Sequence, residues 1–125
     1  MKRQTVAIVG LGRVGTAFLE QVLSTPHPGV DIAYAVEITE TKGKQRALDA
    51  GIAVVNMDEL IAKGESVDVI FELTGLTDVR DDLRIRLQEA GNNYTIIASE
   101  SIAKIIWSFI SKEQFVDIEG RHVGY

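Results

Sequence analysis

The 125-residue sequence contains no cysteine. That excludes disulfides, thiolate nucleophiles and cysteine-ligated zinc, and it fits a reducing cytoplasm. Proline occurs only twice, at Pro26 and Pro28, so nearly all of the chain is free to form regular structure. Histidine is equally scarce. His27 and His122 stand alone, with no second ligand at metal-binding spacing. Positive charge is in deficit, with 13 Lys and Arg against 18 Asp and Glu and a net charge of −5. The basic residues are scattered, and a nucleic-acid module needs a basic footprint. Apolar runs are only a handful of residues long, too short for a signal peptide or a membrane span.

What remains is an ordinary globular composition, 46 % hydrophobic and 25 % charged. The length suits one domain over residues 1–125, large enough to bury a core unaided. No repeat, low-complexity tract or linker interrupts it.

The chain alternates between two kinds of pattern. Val6 to Val9 is a short β-branched apolar run, which predicts a strand buried on both faces. Val14, Phe18 and Val22 then recur every four residues, predicting a helix over 13–24. Four further strands are expected at 31–36, 52–55, 67–73 and 94–98. Helices are expected at 40–50, at 59–63 with Asp58 as cap, and from Thr77 as cap to Gly91 with Val79, Leu83, Leu87 and Ala90 as its buried stripe. Ile102, Ile105, Ile106, Phe109 and Ile110 give the cleanest helical stripe. Residues 115–119 read as a sixth short strand or an arm. Strand–helix alternation at this spacing predicts an α/β, doubly wound parallel sheet of the Rossmann type, in strand order 3-2-1-4-5.

Gly10-Leu11-Gly12-Arg13-Val14-Gly15 falls between the first strand and the first helix. In that setting G-x-G-x-x-G is the dinucleotide fingerprint. Gly10 permits the tight turn, Gly12 clears the approach of the pyrophosphate, and Gly15 lets helix and strand approach closely. Arg13 offers a charge to the phosphates. Glu37 closes the second strand 22 residues after Gly15. A carboxylate there accepts hydrogen bonds from ribose hydroxyls and repels a 2′-phosphate, so NAD is expected over NADP. Lys42, Lys44 and Arg46 lie just downstream and read as a solvated helix face. Glu72-Leu73-Thr74-Gly75 ends the fourth strand beside the topological switch point, where Thr74 and Gly75 are expected to line the cofactor. Ser99, Glu100 and Ser101 follow the fifth strand and read first as helix capping, second as a nicotinamide or substrate contact. Trp107 lies off its helix's main stripe. With Ala103 it widens the apolar face, which implies contact with the chain's own Phe115, Val116 and Ile118 or with another subunit.

Gly10 to Gly15, Glu37 and the segment Val67 to Gly75 together resemble the NAD-binding domain of homoserine dehydrogenase, a domain type shared with aspartate dehydrogenase. The resemblance covers roughly residues 4–110. It implies that Gly10, Gly12, Arg13, Val14 and Gly15 wrap the pyrophosphate, that Glu37 takes the ribose, and that Thr74 and Gly75 line the nicotinamide end. The family carries an active-site lysine where this sequence has Ser101, and its substrate domain is not present in these residues. The expected function is therefore an NAD(H)-binding module. The alternatives are the cofactor half of an NAD(P)-dependent oxidoreductase, or a nucleotide fold acting through an interface around Trp107. No catalytic residue is assigned.

Overall fold

The computed structural model describes residues 3–25 and 29–111. Five strands, β1 (Gln4–Val9), β2 (Val30–Val36), β3 (Ala53–Val54), β4 (Val69–Glu72) and β5 (Ile96–Ala98), form one sheet in the order β3-β2-β1-β4-β5. Each neighbouring pair is parallel. The expected fold class and strand order therefore hold. Helices α1 (Arg13–Ser24), α2 (Lys42–Asp49), α3 (Met57–Ala62) and α4 (Thr77–Glu89) fill the four crossovers, and α5 (Glu100–Ile110) follows β5.

A strand points alternate side chains to opposite faces, and the two cores divide accordingly. Val6 and Ile8 of β1 join Phe71, Phe18, Leu19 and Val22 beneath α1 and α5. Ala7 and Val9 join Ile70, Leu60, Leu83 and Leu87 beneath α3 and α4. Both faces are apolar, as a parallel sheet covered on each side requires. The Phe18 and Phe71 rings lie 5.0 Å apart and tie α1 to β4. The C-terminal ends of β1 and β4 thereby meet at the centre of the sheet, where the strand order reverses.

Three local expectations are corrected. Asn56, not Asp58, caps α3. Its extended backbone lets the side chain accept from Glu59 N–H, and Glu59 reaches back to Asn56 N–H, a reciprocal capping box. Asp58 lies in the first turn and pairs with Arg86 instead. Thr77 is the first residue of α4 rather than its cap, which is Leu76 with no side-chain bond. Of the α4 stripe, Leu83 and Leu87 are buried, while Ala90 is exposed.

The α5 stripe is turned. Ala103 and Trp107 are buried, with Ile106 and Ile110 half-buried beside them. Ile102, Ile105 and Phe109 face outward, Phe109 at 83 % exposure. Two apolar stripes overlap on this helix, and the one containing the small Ala103 sits closest to the sheet. Trp107 is thus a core residue. Residues 115–119, His27 and His122 lie outside the described residues. Among the described residues no helix is long and apolar enough to cross a membrane.

Candidate functional site

The site is built on the turn between β1 and α1. Gly10 adopts φ 100°, and a Cβ there would sit 2.9 Å from the Thr74 backbone nitrogen. Gly15 is tighter still. A Cβ on it would lie 1.8 Å from the Gly10 carbonyl oxygen. Both positions admit only glycine. Gly12 differs, because a Cβ on it would meet nothing within 4 Å. Its exposed face is open to whatever occupies the crevice.

Gly12 is also the N-cap of α1, without a side-chain capping bond and without an acid in the first turn. The first N–H groups of a helix have no partner within it. Here nothing from a side chain caps them, and the helix dipole adds partial positive charge at the same end. Arg13 is exposed at this end. Val14 buries its side chain in the core, so only its backbone can face the crevice.

A cleft of about 400 Å³ opens beside the loop. Gly10, Gly12, Glu37, Ile38, Thr74 and Leu76 are among its walls, with Met57 and Val79 contributed from the α3–α4 face. Four of the sequence-predicted residues, Gly10, Gly12, Glu37 and Thr74, are therefore brought together. Arg13, Val14, Gly15 and Gly75 do not line the cleft. Gly75 supports it indirectly, taking φ 77° in the turn after β4.

Glu37 is placed at the lip of this cleft, and its carboxylate is oriented by backbone. Oε1 accepts from Leu11 N–H at 2.7 Å and Oε2 from Thr39 N–H at 3.0 Å. A carboxylate has about four acceptor positions, so each oxygen retains capacity toward the crevice. Thr74 is similarly organised. Its N–H donates to Glu72 Oε1 at 2.9 Å, its hydroxyl donates to the same oxygen, and the hydroxyl accepts from Leu76 N–H at 3.0 Å. Glu72 is fully buried. The Thr74 methyl approaches Gly10, closing the floor of the site.

The remaining candidates separate. Ser99 caps α5, accepting from Ile102 N–H at 3.4 Å, and Glu100 is buried in the first turn. Lys44 pairs with Glu40 at 2.6 Å and Arg46 with Glu20 at 2.7 Å, while Lys42 is exposed. Among the described residues no group of His, Asp and Glu is arranged to hold a metal.

Sequence reading missed Thr16, Thr41 and Gly43. The Thr16 and Thr41 hydroxyls both donate to the Leu11 carbonyl oxygen, at 3.0 and 2.8 Å. Gly43 sits where a Cβ would be 2.0 Å from Thr16 Oγ1. Thr41, a residue type that caps helices, was the one available signal, and it points to the helix, not to the loop.

No protein-family model matches the sequence, and no curated protein matches it significantly. Solved structures do match. A putative myo-inositol dehydrogenase from Sinorhizobium meliloti 1021 superimposes with a TM-score of 0.60 at 18 % identity, over 86 % of this chain and 32 % of that one. An NAD-binding protein from Listeria innocua gives 0.56 at 18 % identity, over 89 % and 33 %. GenD2 from gentamicin A biosynthesis, solved in complex with NAD, gives 0.50 at 21 % identity, over 79 % and 34 %. The likeness is one of fold, a Rossmann-type parallel α/β sheet. This chain spans about one third of the length of each of these proteins.

Proposed function

We propose that the chain is an NAD(H)-binding Rossmann module, the cofactor-holding part of a larger protein or assembly that senses or uses cellular redox state. The observation that carries this reading is the open face of Gly12. It lies at an uncapped helix N-terminus and borders a cleft that ends at Glu37. The pyrophosphate of a dinucleotide fits that arrangement, since it needs backbone N–H groups, positive dipole and no intervening Cβ. In this reading Gly10, Gly12, Arg13, Val14 and Gly15 surround the pyrophosphate, the latter two through backbone alone. Glu37 accepts the adenosine ribose hydroxyls, and its charge opposes a 2′-phosphate, which favours NAD over NADP. Thr74 and Gly75 shape the nicotinamide end.

Bound nicotinamide supplies hydride chemistry, and a protein must still place a substrate against it. The second reading, the cofactor half of an NAD(P)-dependent oxidoreductase of the homoserine or aspartate dehydrogenase type, is favoured by one fact. The chain matches about a third of each of several larger proteins, two of them dehydrogenases or NAD-bound. Glu72, Ser99 and Glu100 would then be the candidates near the reacting carbon.

Calorimetric titration with NADH and NADPH tests the first reading. Binding of NADH, tighter than NADPH, is expected, and no binding of either at millimolar concentration refutes both readings. Oxidation of NADH in the presence of aspartate semialdehyde supports the second reading, because a binding module leaves the NADH absorbance unchanged.

A further inference from the structure

Three glycines within six residues give the phosphate loop far more backbone freedom than an ordinary turn. A loop that must be ordered at the moment of binding loses affinity by that ordering. Leu11, the central residue of Gly10-Leu11-Gly12, is nevertheless fixed at both ends of its backbone. Its N–H donates to Glu37 Oε1 at 2.7 Å. Its carbonyl oxygen, which has two lone pairs, accepts both the Thr16 hydroxyl at 3.0 Å and the Thr41 hydroxyl at 2.8 Å. The Leu11 side chain is fully buried.

These bonds come from three places in the sequence. Glu37 directly follows β2, Thr41 caps α2 and accepts from Lys44 N–H at 3.0 Å, and Thr16 lies in α1. Gly43 makes the convergence possible. Its missing Cβ lets the first turn of α2 approach the Thr16 hydroxyl and the Leu11 carbonyl, at 2.0 and 2.9 Å from where that Cβ would be.

We propose that Glu37, Thr41 and Thr16 are positioning residues that hold Leu11 and so preset the glycine loop for a dinucleotide. The proposal rests on the dinucleotide-binding reading for its ligand. The clamp makes the segment after β2 part of phosphate binding, even though Thr16 and Thr41 are not among the cleft-lining residues. It also gives Glu37 two tasks. Exchanging the acid to admit a 2′-phosphate removes the Leu11 N–H acceptor, so the exchange loosens the loop for both cofactors.

The test uses Thr16→Val and Thr41→Val, singly and together, with Thr16→Ser and Thr41→Ser as conservative partners. Thr16→Val is the cleaner, because Thr41 also caps α2. NADH affinity is measured by fluorescence titration, and amide hydrogen exchange is followed at Leu11, Gly12 and Arg13 without cofactor. The double valine variant is expected to bind NADH about tenfold more weakly, with faster exchange at those three amides. The serine variants are expected to stay within about twofold of wild type, since they keep the donor. Unchanged affinity together with unchanged loop exchange in the double variant overturns the proposal. A wild type that binds neither NADH nor NADPH defeats the functional reading instead. The clamp then stands or falls on whether exchange at Leu11 to Arg13 accelerates.

Discussion

Gly12 and Gly15 stand three residues apart in one motif, yet substituting alanine at each is expected to separate binding from stability. A Cβ on Gly15 would lie 1.8 Å from the Gly10 carbonyl oxygen and 2.8 Å from its carbon. Carbon approaches a carbonyl oxygen to about 3.3 Å at closest, so α1 and the loop must part by roughly 1.5 Å. Neither side is a flexible side chain that can swing away. Overpacking usually destabilises by about 1–3 kcal/mol, and a backbone-on-backbone clash belongs at the upper end. The expected loss for Gly15→Ala is about 3 kcal/mol, a fall in melting temperature of roughly 10 °C for a domain of this size. The sign is informative, because Gly→Ala inside a helix ordinarily stabilises by about 1 kcal/mol. Gly12→Ala meets nothing within 4 Å. Its stability is expected within about 0.5 kcal/mol of wild type. Under the proposed function the new methyl would occupy the face offered to the pyrophosphate, and NADH affinity is expected to fall at least about tenfold. Urea melts and NADH fluorescence titration read the two effects. A Gly15→Ala protein as stable as wild type refutes the close-approach argument. A Gly12→Ala protein that binds NADH normally removes the loop from the site.

Other outcomes follow from the same geometry. Gly43→Ala is expected to destabilise and to weaken NADH, against the usual helical trend, because α2 must withdraw from Thr16 and Leu11; a stabilised variant with unchanged affinity contradicts this. Leu83→Ala removes a fully buried side chain from the α3–α4 face, with an expected loss of about 3 kcal/mol in urea unfolding, and a loss under about 1 kcal/mol means that α4 does not hold that core. Tyr94 donates its hydroxyl to Asp68, and that bond, followed by the Asp68 charge, raises its pKa above the ordinary 10.0. The folded state therefore keeps the proton longer than the unfolded state. The stabilisation is complete below about pH 10 and is lost as pH rises through the raised value. Tyr94→Phe is expected to lack that alkaline component, seen as a shallower fall of melting temperature above pH 10; identical alkaline profiles contradict it.

Much of the architecture was legible because strand runs and glycine stops set the alternation. The parallel order followed from the strand–helix alternation together with the glycine motif at the first turn. Gly10, Gly12, Glu37 and Thr74 were legible as neighbours because sheet topology brings the ends of β1, β2 and β4 to one crevice. Thr16, Thr41 and Gly43 were not, since their meeting depends on how closely α2 approaches α1, and spacing in sequence carries no such distance. The α5 error had a similar source. Residue size favours the Ile and Phe stripe, whereas close approach to the sheet favours Ala103 and Trp107. Asp58 and Asn56 are both good caps by type, and only backbone geometry and the position of Glu59 decide between them.

The placement of β1 has a consequence for how the chain comes to be folded. Of the five strands, the one that comes first along the chain is the central one. Val6 pairs with Ile32 on one side and with Val69 on the other. During synthesis at about 5–20 residues per second, β1 therefore waits several seconds for its second neighbour. A half-made chain ending after β3 leaves one border of the nascent sheet unzipped and β1's Ile8 without Phe71 beside it. Protease should cut such a ribosome-held intermediate freely, and protection should appear only once β4 has emerged. The glycine loop, which hangs from the end of β1 and leans on Thr74, thus matures late although its glycines precede four of the five strands in the chain.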